Sequence, residues 1–280
     1  MNIGFWNVNS KKVKKDLSDS LVDLTLEKDL DILCIAEILD NDTISFLKKI
    51  NAKSKSQKYN QVKCSKDKLI LISRNSGNIF EDKSQLYNSH RWIAHKVTIP
   101  SIITFNLISI HFHSKLNWSE NSLALECVNL SRDIELVEKD NQCLNTILIG
   151  DFNMNPFENG LVAANGINAL SDLDYASKNK NGRKIDGTTY YKYFYNPMWN
   201  FFGDFKVPYG THYCRVPGHI SHEWHIYDQV ILRPSLKQYL VKPFIEIVDK
   251  INADDLTKKY NRPDNVNYSD HLPIILKLKL

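Results

Sequence analysis

Apolar residues along this chain follow two rhythms. Short apolar runs of strand length, each closed by a polar residue, alternate with stretches in which apolar positions recur every three or four residues. Residues 2–6 make the first run and end at Asn7, after which Val13, Leu17, Leu21 and Leu24 recur at helical spacing up to Asp29. DILCIAE at 31–37 is the next predicted strand and closes on Glu37. A weaker helix is predicted over 41–50, followed by a Lys/Ser-rich loop at 51–58. Strands are predicted over 60–64, 68–73, 92–99 and 103–110, the last meeting His111. Leu123, Cys127, Leu130, Ile134 and Val137 mark a second, long amphipathic helix, and NTILIG then runs as a strand into Asp151. Beyond it lie a polar stretch at 177–188, an aromatic segment at 189–205, a His-rich loop at 211–225, the strand IYDQVIL and a terminal strand LPIILKLKL.

Several predicted core strands thus end at Asn7, Glu37, His111 and Asp151. That arrangement points to a site built from loops at one edge of packed sheets, where distant carboxylates come within reach of one ion. A length of 280 residues is compatible with two domains or with one large α/β domain. No linker or internal repeat separates the chain, and 177–188 is short enough for an insertion loop. With 42% hydrophobic and 24% charged residues, disorder, collagen and coiled coil are excluded.

The formal net charge of +4 is compatible with a polyanionic partner but too small to establish one. Five cysteines, Cys34, Cys64, Cys127, Cys143 and Cys214, are odd in number, and Cys34, Cys127 and Cys143 lie in apolar runs. They predict buried, reduced thiols in a cytoplasmic protein. No signal peptide is visible, and no apolar stretch reaches the roughly 18 residues of a membrane span.

Chemistry concentrates at a few short motifs. GDFN places Asp151 and Asn153 two apart, on the same side of an extended segment, although Asx residues after a strand also serve as plain turn residues. Glu37 after an apolar strand is harder to explain away, because a carboxylate near a core needs a cation or strong hydrogen bonds. SDH at 269–271 sets Asp270 beside His271 ahead of the final strand, and Asp228 lies among apolar residues where it could orient an imidazole. Together these are hard oxygen ligands suited to Mg²⁺ or Mn²⁺, with a separate acid/base pair.

Taken in order, GFWNVN with Asn7, CIAE with Glu37, IHFHS with His111, GDFN with Asp151 and Asn153, YDQV with Asp228, and SDH with Asp270 and His271 resemble the endonuclease/exonuclease/phosphatase superfamily, the DNase I-like fold. The resemblance runs over residues 2–280. It implies a single catalytic domain over 1–280: a four-layered α/β sandwich, two central mixed β-sheets flanked by helices. It also implies metal-dependent hydrolysis of a phosphoester, with Glu37, Asn7 and Asp270 as metal ligands and Asp151 and Asn153 orienting water and phosphate. His271, held by Asp228, is implied as general base or phosphate contact, with His111 on the leaving-group side. HRWIAHKV resembles the segment carrying a phosphate-contacting arginine, here Arg91, and SKDKLILISR the segment whose acidic residue supports a catalytic histidine, here Asp67 for His111. One departure is Asn9, where the abasic-site endonuclease branch carries Asp.

Two basic patches, Lys178, Lys180, Arg183 and Lys184, and Lys11, Lys12, Lys14 and Lys15, read either as nucleic-acid backbone contacts or as solvated surface. The aromatic stretch 188–205 reads as base stacking or as core. His212, Cys214, His219, His222 and His225 match no zinc signature and read as a substrate loop or a zinc site. The expected activity is a Mg²⁺-dependent nuclease, DNA favoured over RNA. The alternatives are a phosphatase or phosphodiesterase acting on RNA, nucleotides or phosphorylated lipid headgroups, and a non-catalytic nucleic-acid-binding protein of the same fold.

Overall fold

The computed structural model describes the chain except residues 13–15, 55–56, 67, 206, 216–218, 220 and 259–260. Val13, Lys14, Lys15 and Asp67, singled out from the sequence, therefore lie outside the described residues. The first half of the chain runs β1 (Asn2–Asn7), α1 (Leu17–Glu27), β2 (Ile32–Ala36), α2 (Asp40–Lys53), β3 (Tyr59–Gln61), β4 (Leu69–Arg74), β5 (Ile79–Asp82), β6 (Trp92–Ile99), β7 (Ile103–His111), α3 (Glu120–Asn141) and β8 (Thr146–Asp151). The second half runs α4 (Asn159–Val162), β9 (Ala169–Leu170), α5 (Leu173–Lys178), β10 (Arg183–Ile185), β11 (Thr189–Tyr191), β12 (Phe194–Tyr195), β13 (His212–Tyr213), β14 (Trp224–His225), β15 (Asp228–Leu232), β16 (Ile245–Ile247), β17 (Lys250–Ile251), β18 (Asp254–Asp255) and β19 (Ile274–Lys277).

Two mixed sheets dominate. One has the order β16-β19-β1-β2-β4-β3 and the other β5-β6-β7-β8-β15-β12-β9. Each contains a parallel pair of long strands, β1 with β2 and β7 with β8, bridged by α1 and α3 respectively. A parallel pair needs a crossover of a dozen or more residues, which the two amphipathic helices supply.

Period-2 alternation assigns the layers. In β7, Phe105 and Leu107 enter the core shared with the first sheet, whereas Ile108 and Ile110 pack with Leu123, Cys127 and Leu130 of α3. In β8, Ile147 and Ile149 face inward and Leu148 faces α3; in β15, Val230 and Leu232 face inward and Ile231 outward. On the other side Leu17, Leu21 and Leu24 of α1 and Phe46 and Ile50 of α2 pack on the first sheet. The result is the α/β sandwich expected, with helices outside two facing sheets.

Differences from the sequence expectations are local. α2 continues to Lys53, into the predicted loop, because Phe46 and Ile50 anchor it on the core. The terminal strand narrows to Ile274–Lys277. The polar stretch 177–188 forms the end of α5 and a small β10–β11 hairpin. All five cysteines are free; Cys34 and Cys127 are buried as expected, but Cys143 is only half-buried. Among the described residues no helix is long and apolar enough to cross a membrane.

Candidate active site

Register builds one half of the site. His111 of β7 pairs with Asp151 of β8, and Asp151 pairs with Asp228 of β15, so three side chains stand abreast on three adjacent strands. Directly opposed residues share a face, and the parity of these strands turns that face toward the first sheet. Gly150 makes the close approach possible: a Cβ there would lie 2.0 Å from the Ile110 carbonyl oxygen. Asn153 follows in the left-handed region at φ 50°, which Asn tolerates better than most residues. Its backbone N–H donates to Asp151 Oδ1 at 2.8 Å and its side-chain amide to Asp151 Oδ2 at 3.2 Å.

The first sheet supplies the other half. Asn7 and Glu37 stand at the ends of the parallel β1–β2 pair. The Asn7 amide nitrogen donates to Glu37 Oε1 at 3.2 Å and to Asp151 Oδ2 at 3.1 Å, bridging the two sheets. Glu37 has φ 55°, a strained conformation for this residue type, held by the Ser10 N–H donating to its carbonyl. His111 Nε2 lies 3.2 Å from Glu37 Oε1. That hydrogen bond outweighs burial and holds the Glu37 carboxyl below its usual range.

The SDH turn is pinned to the same corner. Ser269 Oγ donates to the Asn7 carbonyl and accepts from the His271 N–H, while Trp6 Nε1 donates to the His271 carbonyl. Asn9, the departure noted above, donates to Asp270 Oδ1 at 3.0 Å. His271 Nδ1–H donates to Asp228 Oδ2 at 2.8 Å, leaving Nε2 4.0 Å from Asp151 Oδ2. Burial of the ring opposes protonation, but Asp228, Asp151 and Asp270 outweigh it and raise His271 to about 10. Burial likewise raises the Asp151 carboxyl, against the pull of His271.

Asn7, Glu37, His111, Asp151, Asn153, Asp270 and His271 line one cleft of about 910 Å³. Asp228 stands behind it, fully buried. Arg91 does not line the cleft; its carbonyl accepts from the His111 N–H, and burial lowers its guanidinium against the opposing pull of Glu126 and Glu37. None of Lys178, Lys180, Arg183 and Lys184 reaches the cleft either. Lys178 and Lys180 border a separate small depression with Tyr190.

Sequence reasoning left out one part of the cleft wall, Asn155. Asn155 accepts from the Ile226 N–H and donates to His225 Nδ1 at 3.2 Å. The Asx repetition at 151, 153 and 155 was the available signal. His212 of the His-rich loop packs its ring 4.4 Å from that of His271 and 5.4 Å from Tyr227, and its Nδ1–H donates to the Asp270 carbonyl. Burial lowers His212 and His225 each to about 4, so both are neutral near pH 7. Of the loop's proposed zinc ligands, His212 alone joins a cluster of three metal-capable side chains, with Asp270 and His271, among the described residues. Cys214, His222 and His225 line the cleft without joining that cluster.

A second triad, Asp151, Asp228 and His271, also brings three ligand atoms within 4.8 Å of one another. With Glu37 and Asn7 added, the corner offers carboxylate and amide oxygens around one cationic imidazole. Such hard donors with surplus negative charge fit a divalent cation of the Mg²⁺ or Mn²⁺ type. The site therefore has the catalytic potential of a metal-dependent hydrolase.

No curated protein matches the sequence. Among solved structures, D. rerio TDP2 complexed with a single-strand DNA product is similar at a TM-score of 0.57 and 16% identity, over 100% of this chain and 99% of that one. The human Nocturnin catalytic domain gives 0.53 and 13%, over 99% and 93%. The 3'-5' exonuclease NExo from Neisseria meningitidis gives 0.54 and 16%, over 100% of both chains. Such low identities speak for the fold. The model of the Endonuclease/Exonuclease/phosphatase family matches residues 4–271, and this protein belongs to that family.

Proposed function

We propose that the protein is a Mg²⁺- or Mn²⁺-dependent phosphodiesterase that cleaves nucleic acid, DNA in preference to RNA, as an endonuclease. The observation that carries this reading is the convergence of Asn7, Glu37, Asp151, Asn153, Asp270 and His271 on one cleft from both sheets. Glu37, Asn7 and Asp270 would hold the ion, which when bound polarises the phosphate and stabilises the leaving oxygen. His271, kept cationic by Asp228, presents Nε2 to a phosphoryl oxygen. Asp151, oriented by Asn7 and both donors of Asn153, accepts the proton of the attacking water. His111, bonded to Glu37, faces the leaving-group side.

A nucleic-acid substrate draws support from the relatives, one solved with a single-strand DNA product and another a 3'-5' exonuclease. The cleft walls agree, because the exposed rings of Phe157 and His222 line the cleft and offer surfaces to bases. The test is relaxation of supercoiled plasmid, where a single nick is visible. Wild type is expected to nick only with Mg²⁺ or Mn²⁺, to stop in EDTA, and to lose about 10³-fold in rate on Glu37→Ala or His271→Ala. Equal nicking by both variants, or nicking in EDTA, overturns the proposal.

A further inference from the structure

A second convergence of metal-capable side chains lies away from the cleft, where β3 is the edge of one sheet and β5 the edge of the other. Cys64 follows β3, Asp82 ends β5, and His95 is Asp82's direct partner on β6. A ring nitrogen of His95, the Cys64 sulfur and an Asp82 oxygen lie within 4.8 Å of one another. Cys64 Sγ is 3.8 Å from Asp82 Oδ1.

His95 distinguishes this cluster from a chance meeting of polar groups. Its side chain is 1% exposed. Nε2 lies 3.1 Å from the Lys63 carbonyl, which can only accept, so Nε2 carries the proton and Nδ1 the lone pair. That buried Nδ1 has no hydrogen-bond partner among the described residues. A histidine anchored on a carbonyl through one ring nitrogen, with the lone pair of the other left vacant, is prepared as a metal ligand. Asp82 is oriented as well, its two oxygens accepting from the Ser65 and Ser84 N–H groups at 2.7 and 2.9 Å. Ser84 Oγ accepts from the Ala94 N–H at 2.9 Å and lies 3.5 Å from Cys64 Sγ, fixing the thiol beside Asp82.

We propose that Cys64, Asp82 and His95 form a zinc site, with solvent as fourth ligand on the half-exposed side of Cys64 and Asp82. Thiolate, imidazole and carboxylate together select Zn²⁺ over Mg²⁺. A tetrahedral ion needs ligand atoms about 3.5 Å apart, a closing of about 1.3 Å at most from a spacing within 4.8 Å. Binding releases the Cys64 thiol proton to solvent and forms the Zn–S bond. The ion would tie the connection after β3 to the β5–β6 hairpin, clamping the two sheets at an edge that has no covalent link.

The full-length protein, stripped with EDTA and returned to excess Mg²⁺, is titrated with Co²⁺ and separately with Zn²⁺. One Co²⁺ per chain is expected to produce sulfur-to-cobalt charge-transfer absorption, and Zn²⁺ to displace it and raise Tm. Cys64→Ser should abolish the band, and His95→Gln and Asp82→Asn should weaken Co²⁺ binding about tenfold or more. Cys214→Ser, which removes the thiol of the His-rich loop, should leave it intact. Asp82→Asn keeps one of the two acceptor oxygens and, with His95→Gln, serves if Cys64→Ser fails to fold. Absence of the band in wild type, its loss in Cys214→Ser alone, or undiminished Co²⁺ affinity in Asp82→Asn overturns the site.

Discussion

β15 is flanked by buried charge at both ends, and the two ends are treated differently. At its close, Arg233 donates from Nε to Glu138 Oε1 at 2.8 Å and from Nη2 to Oε2 at 3.2 Å, with Nη1 on the Lys192 and Tyr193 carbonyls. The guanidinium stacks 3.8 Å over Phe194, and Thr146 Oγ1 donates to the same carboxylate. At its start, Asp228 holds His271 by one oxygen, while Asp228 Oδ1 has no partner among the described residues and His271 Nε2 stops 4.0 Å short of Asp151. A buried pair with its donors and acceptors satisfied fastens α3 to the second sheet. One left partly unsatisfied and facing a cleft keeps its capacity for a substrate or an ion.

That contrast can be broken from either end. The largest effect is expected from Glu138→Gln, which strands Arg233 in the interior and should lower stability by about 3–5 kcal/mol in urea titration. The folded fraction should nick plasmid at the wild-type rate. Replacing both partners, Glu138→Leu with Arg233→Met, should recover most of the loss, since two charges no longer need burial. If the double variant remains as unstable as the single, the pair is not the reason for the cost.

Asp228→Asn should behave in the opposite manner. The amide keeps the shape but removes the charge that holds His271 protonated, so the rate should fall about 10²-fold, with a smaller loss of stability than in Glu138→Gln because His271, unlike Arg233, can shed its proton. A loss of stability as large as that of Glu138→Gln, with activity intact, would make the two ends of β15 equivalent.

The smallest effect concerns pH. His225, buried against Asn155, is lowered to about 4 in the folded chain, against about 6.5 when unfolded. Between those values the unfolded chain binds a proton that the folded chain does not. Stability due to this group is therefore present above about pH 6.5 and lost as pH falls toward 4, by at most about 1.4 kcal/mol per pH unit. His225→Gln should flatten that limb, read from urea midpoints across the range; an unchanged slope assigns the acid sensitivity to other groups.

The clearest correspondence between sequence and structure lies in the strands that are buried on both faces. NTILIG and DILCIAE are apolar without interruption because each is covered by a sheet on one side and helices on the other, so their ends at Asp151 and Glu37 were readable. Short edge strands such as β5 and β13 left no such signal, being three-dimensional pairings with little burial of their own. Candidate ligands were legible as polar residues terminating apolar runs, and the order of those motifs was enough to anticipate the fold.

What the linear chain could not contain was distance. Asn7 meets Asp151 across 144 positions, and Trp6 holds His271 across 265. Arg91 and the Lys178–Lys184 patch resembled site residues yet do not line the cleft, whereas Asn155 and the Cys64–Asp82–His95 cluster passed unremarked. Local sequence determined which segments become strands and helices, through periodicity and burial. Which side chains share a solvent-poor corner, and hence which charges stay unsatisfied, was decided by register and by the packing of one sheet on the other.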